Sequence, residues 1–123
     1  MDKTSTVVIN GKTVVVEWTA SADQALVDRT RPLVVELELY FSCLLKKSVR
    51  FHDEAADRPM VSVTDKLMLY FRSVTSTACT MEAAERLGRQ PEIELDSAVS
   101  KRLAPKRIRL DYLDRQWRGE FWL

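Results

Sequence analysis

Among side chains able to do chemistry, this sequence offers one imidazole, two thiols and a basic stretch interleaved with aromatics. A nucleophilic cysteine needs thiolate character and a nearby base. Cys79 stands just before Thr80–Leu87, whose Ala, Glu, Arg and Leu content predicts a short helix ended by Gly88. A helix N-terminus would lower its pKa, while Glu82 in the same turn would oppose this by repelling a thiolate. His52 is the only histidine, so Cys79 with His52 is the sharpest catalytic pairing the chain can offer. Cys43 falls on the apolar side of a predicted strand, where cysteine behaves as a small hydrophobe. A redox pair of Cys43 and Cys79 would need Cα atoms within about 7 Å.

His52 also begins the tract His52-Asp53-Glu54-Ala55-Ala56-Asp57-Arg58-Pro59, which reads as a solvated acidic loop. One histidine with scattered carboxylates does not have the spacing of a metal site. Three glycines leave little material for a phosphate-cradling loop. The expectation is a protein with no metal and no cofactor, and more naturally a non-enzyme.

Charge becomes uneven toward the C-terminus. Segment 98–118 carries seven basic residues against Asp111 and Asp114, a local balance of +5. From Lys106 to Leu113, Ile108, Leu110 and Tyr112 alternate with Arg107, Arg109 and Asp111. That is a strand with an arginine-bearing face. Lys106, Arg107, Arg109 and Trp117 are therefore the candidate binding residues, with Tyr112 and Trp122 nearby. Basic residues beside aromatics are a pattern of single-strand nucleic-acid binding. The competing reading pairs these arginines with the acidic 82–96 segment and with Glu36 and Glu38 across a sheet. The whole chain has a formal net charge of only +1, which gives no bulk preference for polyanions or anionic membranes.

The elements that must position these residues are mostly strands. Val35, Leu37, Leu39, Phe41, Cys43 and Leu45 alternate with Glu36, Glu38, Tyr40 and Ser42, a period of two over about a dozen residues. A helix through the same stretch would collect Leu33, Leu37, Tyr40, Phe41, Leu44 and Leu45 on one face, but the β-branched and aromatic content favours the strand. Met60–Val63 and Leu67–Phe71 form a second extended region, whose Leu-Met-Leu-Tyr-Phe echoes Leu37–Phe41. Thr6–Ile9 and Thr13–Trp18 flank Asn10-Gly11, a two-residue hairpin signal. Ser21 with Gln24 predicts the start of a helix over 22–29. Pro91–Leu95 reads as a short strand, 97–103 as a helix, and Glu120–Leu123 as a strand returning from a turn at Arg118-Gly119.

The sum of these is an α+β fold: a mainly antiparallel sheet of about five to seven strands, with two or three short helices on one face. At 123 residues the chain is expected to form a single domain over 1–123. Hydrophobic residues at 46% argue against disorder. No membrane-length apolar run and no leader pattern are present, so the cytoplasm is the expected location. The predicted core comprises Val8, Val14, Val16, Leu26, Val35, Leu37, Leu39, Phe41, Leu67, Leu69, Phe71, Leu87, Ile108 and Leu110. Three functional classes follow. The leading one is a non-catalytic protein-interaction module that pairs with itself or another protein. The others are a nucleic-acid or polyanion binder using 98–118, and a small thiol-dependent enzyme or redox protein using Cys79.

Overall fold

The computed structural model describes residues 2–41, 45–56, 58–76, 92–94 and 104–123. The chain begins with an antiparallel hairpin, β1 (Lys3–Ile9) and β2 (Lys12–Trp18). Asn10 and Gly11 turn it with φ of 51° and 76°, the left-handed pair that a two-residue hairpin of this twist demands.

One helix follows, α1 (Ala20–Val27). Its N-cap is Thr19, whose Oγ1 accepts from the Ala22 amide at 3.2 Å, so the helix opens ahead of the predicted Ser21. Ala22 and Leu26 face inward. The Thr19 hydroxyl also donates to Asp111 Oδ1 at 2.7 Å, which ties the helix start to a distant strand.

The long central stretch is two strands, β3 (Leu33–Phe41) and β4 (Leu45–His52), paired antiparallel. Then come β5 (Val61–Thr64), β6 (Leu67–Ser76), β7 (Glu92–Glu94), β8 (Arg107–Leu113) and β9 (Gln116–Trp122). Two sheets result. One has strand order β1-β2-β8-β9; the other runs β4-β3-β6-β5, with β7 beside the far end of β6. β2 pairs with β8 and β3 with β6 in parallel; the remaining pairings are antiparallel.

This corrects the α+β expectation. The molecule is mostly β, with one helix among the described residues and its strands divided between two sheets. The predicted helices at 80–87 and 97–103 lie outside the described residues. The physical reason is that each sheet hides the apolar face of the other, the role the prediction gave to helices. Val14, Val16, Ile108, Leu110 and Phe121 from the first sheet meet Val35, Leu37, Leu67 and Leu69 from the second.

The sheets close on each other at β4 and β9. Gly119 on β9 faces Val49 and Phe51 on β4, and the Lys47 ammonium donates to the Phe121 carbonyl at 3.0 Å. On the opposite side β1 lies against β5. Val8, predicted inside, is 60% exposed, whereas Val7 and Ile9 are buried. Its partner is Thr13, on the outer face, so the alternation in β1 runs one residue out of phase with the prediction. The side chain of Phe41, and Leu87, lie outside the described part.

Candidate functional site

Two outward faces carry the titratable groups, and their geometry separates them. The first is the outer face of the sheet containing β3. Glu36 sits at its centre, flanked in register by Arg50 on β4 and Tyr70 on β6. The Tyr70 hydroxyl donates to Glu36 Oε1 at 2.8 Å, and His52 Nε2 lies 2.9 Å from the same oxygen. An ionised carboxylate only accepts, so Nε2 bears the hydrogen. Arg50 donates to Glu36 Oε2 at 2.9 Å and also to Glu38 Oε2, while Arg72 stands 3.6 Å from Glu36 Oε2. Both glutamates are buried, at 5% and 3% exposure.

Three members of this cluster, Glu36, Tyr70 and Arg50, have shifted titrations. Burial by itself would push the Glu36 carboxyl up, but the bonds from Tyr70, His52 and Arg50 outweigh it and hold the group down at about 2. Burial, then the bond to Glu36 and its charge, push the Tyr70 phenol up to about 12. The Arg50 guanidinium is raised, chiefly by its bond to Glu38. A general acid or base works best with a pKa near the operating pH. Glu36 and Tyr70 are both displaced far from it, in opposite directions, and their bonds tie β3 to both of its neighbouring strands. An open depression of about 430 Å³ beside it is lined by His52, Asp53, Glu54 and Tyr70. Among the described residues no group of three or more His, Cys, Asp or Glu is arranged to hold a metal ion.

The second face is the outer side of β1-β2-β8-β9, and it is the candidate site. Register places its residues in rows across the four strands. Thr6, Val15, Arg107 and Trp122 form one row, and Thr4, Glu17, Arg109 and Glu120 the next. Asp111 pairs with Arg118 in the row beyond. Glu17 Oε2 accepts from Arg107 at 2.8 Å and from Arg109 at 3.3 Å, and the bond from Arg107 leads in holding its carboxyl below the usual range. The Arg107 guanidinium lies 5.2 Å from the Trp122 ring centroid. Val8 and Trp122, the latter 37% exposed, provide apolar surface on the two outer strands.

The predicted site residues divide accordingly. Arg107 and Arg109 are on this face, and they pair with Glu17 and, at 3.6 Å, with Asp2. The expected partners Glu36 and Glu38 belong to the other sheet and serve Arg50. Lys106 is exposed at the end of the sheet, where its amide donates to the Trp122 carbonyl at 2.6 Å. Trp117 is on the inner face, stacked on Phe51 at 5.9 Å and 4.9 Å from the Tyr112 ring. His52 is engaged with Glu36; Cys79 and Cys43 lie outside the described residues.

The reading of the sequence missed Glu17 and Val8 as members of this face and named Trp122 only as a neighbour of the candidate residues. The signal was available for two of them: Val15 and Glu17 alternate against Val14, Val16 and Trp18, and Trp122 falls opposite Arg107 once the turn is set at Asp114-Arg115.

The fold and site thus define a two-sheet β protein whose four-stranded sheet has a mixed-charge outer face. No family model, curated protein or solved structure matches the chain.

Proposed function

We propose that this chain is a non-catalytic protein-interaction module that binds through the outer face of β1-β2-β8-β9. The observation that carries the reading is the charge balance of that face. Its strands present Arg107, Arg109 and Arg118 against Glu17, Asp111 and Glu120, three of each sign. A phosphate backbone selects surfaces with excess positive charge. A face of alternating sign with an exposed tryptophan and valine suits a protein surface, where aromatics anchor and complementary charges fix orientation. The positive balance of 98–118 is therefore not concentrated here, which weighs against the polyanion reading.

The test places a photo-crosslinking residue at Thr6 on this face or, as a control, at Ser62 on β5. Covalent protein adducts are expected from Thr6 and not from Ser62, in lysate or in concentrated pure protein. Equal adducts from both, or none from Thr6, overturn the reading. Tight binding of mixed-sequence single-stranded nucleic acid with a steep salt slope would move the protein to the polyanion class.

A further inference from the structure

We infer that the occupant of this face is a second copy of the chain, related by a two-fold axis that runs parallel to the strands between β2 and β8. The inference rests on the interaction reading above and deepens it by naming the partner.

The face has four strands, and β2 and β8 are its central pair. A two-fold axis lying in the interface between them sets β2 over β8 of the second copy and β1 over β9, without changing the row. Glu17 and Arg109 share a row. Each Glu17 then faces Arg109 of the other copy, twice, as an isologous interface requires. In the next row Trp122 comes over Thr6 and toward Val8, so the exposed apolar residues of the two outer strands meet. Arg107 comes over Val15, against which its aliphatic stem can lie. Glu120 meets the neutral Thr4. No like charges are opposed in these rows.

The alternative in-plane axis, perpendicular to the strands through the same row, sets Arg109 on Arg109 and Glu17 on Glu17. Like-charge opposition of that kind is strongly disfavoured. Complementarity thus selects one orientation. Aligned sheets packing at about 10 Å leave room for interdigitated side chains. Four strands of seven residues make a face of about 19 by 23 Å, a small one by the standard of stable interfaces. Association in the micromolar to millimolar range is the expectation.

The experiment is a charge swap between copies, read by sedimentation velocity and native mass spectrometry on the full chain. Glu17→Arg sets a second guanidinium against Arg109 of the neighbouring copy, and Arg109→Glu opposes two carboxylates. Each variant alone should dimerise at least about tenfold more weakly than wild type. An equimolar mixture restores both cross-copy pairs and should give a one-to-one heterodimer of near wild-type affinity. Mixing cannot repair the Glu17–Arg109 pair within a chain, so rescue reports only on contacts between copies. A wild-type chain that stays monomeric at millimolar concentration, single variants that dimerise like wild type, or a mixture no tighter than its components would each overturn the inference. If the charge variants fail to fold, Val8→Arg decides: it should weaken dimerisation about tenfold at an unchanged thermal midpoint, and unchanged dimerisation overturns the inference. A monomeric wild type with Thr6 adducts to another protein would remove the second copy while leaving the interaction reading in place.

Discussion

Glu36 on β3 and Tyr70 on β6 are register partners on parallel neighbouring strands, and the Tyr70 hydroxyl donates to Glu36 Oε1 at 2.8 Å. That bond joins two strands separated by 34 positions in sequence. With Arg50 and His52 bonded from β4 on the other side, one carboxylate links three adjacent strands.

Removing the charge while keeping the shape should therefore be costly. Glu36→Gln removes the carboxylate 3.6 Å from Arg72 and weakens the hold on Arg50 and His52. A loss of about 2–4 kcal/mol is expected, read as a lower urea midpoint at unchanged m-value. A loss below about 0.5 kcal/mol would show that the cluster contributes little.

The same group sets the acid limit. The Glu36 carboxyl is lower in the folded state, about 2, than its ordinary 4.5, so its contribution is complete above 4.5 and is lost as pH falls toward 2. The difference corresponds to about 3 kcal/mol. Tyr70 acts with the opposite sign: its phenol is raised from 10.0 to about 12, so its contribution holds below 10 and is lost as pH climbs to 12. Unfolding free energy measured from pH 5 to pH 2 should fall, and Tyr70→Phe, which raises the folded-state Glu36 value, should make that fall shallower and end it at a higher pH. A wild-type curve flat across this range would contradict the assignment.

Thr19 does two jobs with one hydroxyl. It caps α1 and donates to Asp111 Oδ1, and that bond leads in holding the Asp111 carboxyl below its ordinary range. Thr19→Ala should cost about 1–2 kcal/mol. Thr19→Ser, which keeps the oxygen, should recover most of it in the same unfolding experiment.

Gly119 is required by a close approach. A Cβ there would meet Leu110 Cδ2 at 3.0 Å, Val49 Cγ1 at 3.1 Å and Phe51 Cζ at 3.2 Å, where β9 meets β4 of the other sheet. Gly119→Ala should destabilise by about 1–3 kcal/mol through overpacking. A neutral substitution would mean that the seam between the sheets is looser than described.

The β8–β9 turn carries strain that glycine would relieve. Asp114 and Arg115 adopt φ of 52° and 62°, left-handed values that cost a side chain such as arginine roughly 1 kcal/mol. Arg115→Gly should therefore raise stability by up to about 1 kcal/mol despite the added chain entropy, visible as a higher melting midpoint.

Gly119 and the Asp114-Arg115 turn mark the limit of what local pattern reveals. Arg118-Gly119 resembles a turn because glycine is the commonest turn residue, yet this glycine lies inside β9 and the turn is made by Asp114-Arg115. What Gly119 answers to is a strand about seventy residues earlier, invisible to local pattern. Asn10-Gly11, by contrast, was legible, since everything the turn needs is contained in the turn. The candidate face was half legible: Arg107 and Arg109 could be placed on the outward side of a strand by alternation, but the choice of Trp117 over Trp122 depended on the length of that turn.

Alternation of apolar and polar residues, by itself, determined that 35–41, 67–71 and 107–113 are extended and which of their side chains share a face, but it carried the first strand on to Leu45, which the structure places at the start of the antiparallel strand β4. Only the tertiary structure decided that β2 lies beside β8 and β3 beside β6, that the strands divide into two mutually covering sheets, and that Glu36 answers to Arg50 while Arg109 answers to Glu17. The reason is one of range. The pleat is a property of consecutive residues, so its period is written in the chain, whereas strand order and charge partners depend on which distant segments bury each other's apolar faces best.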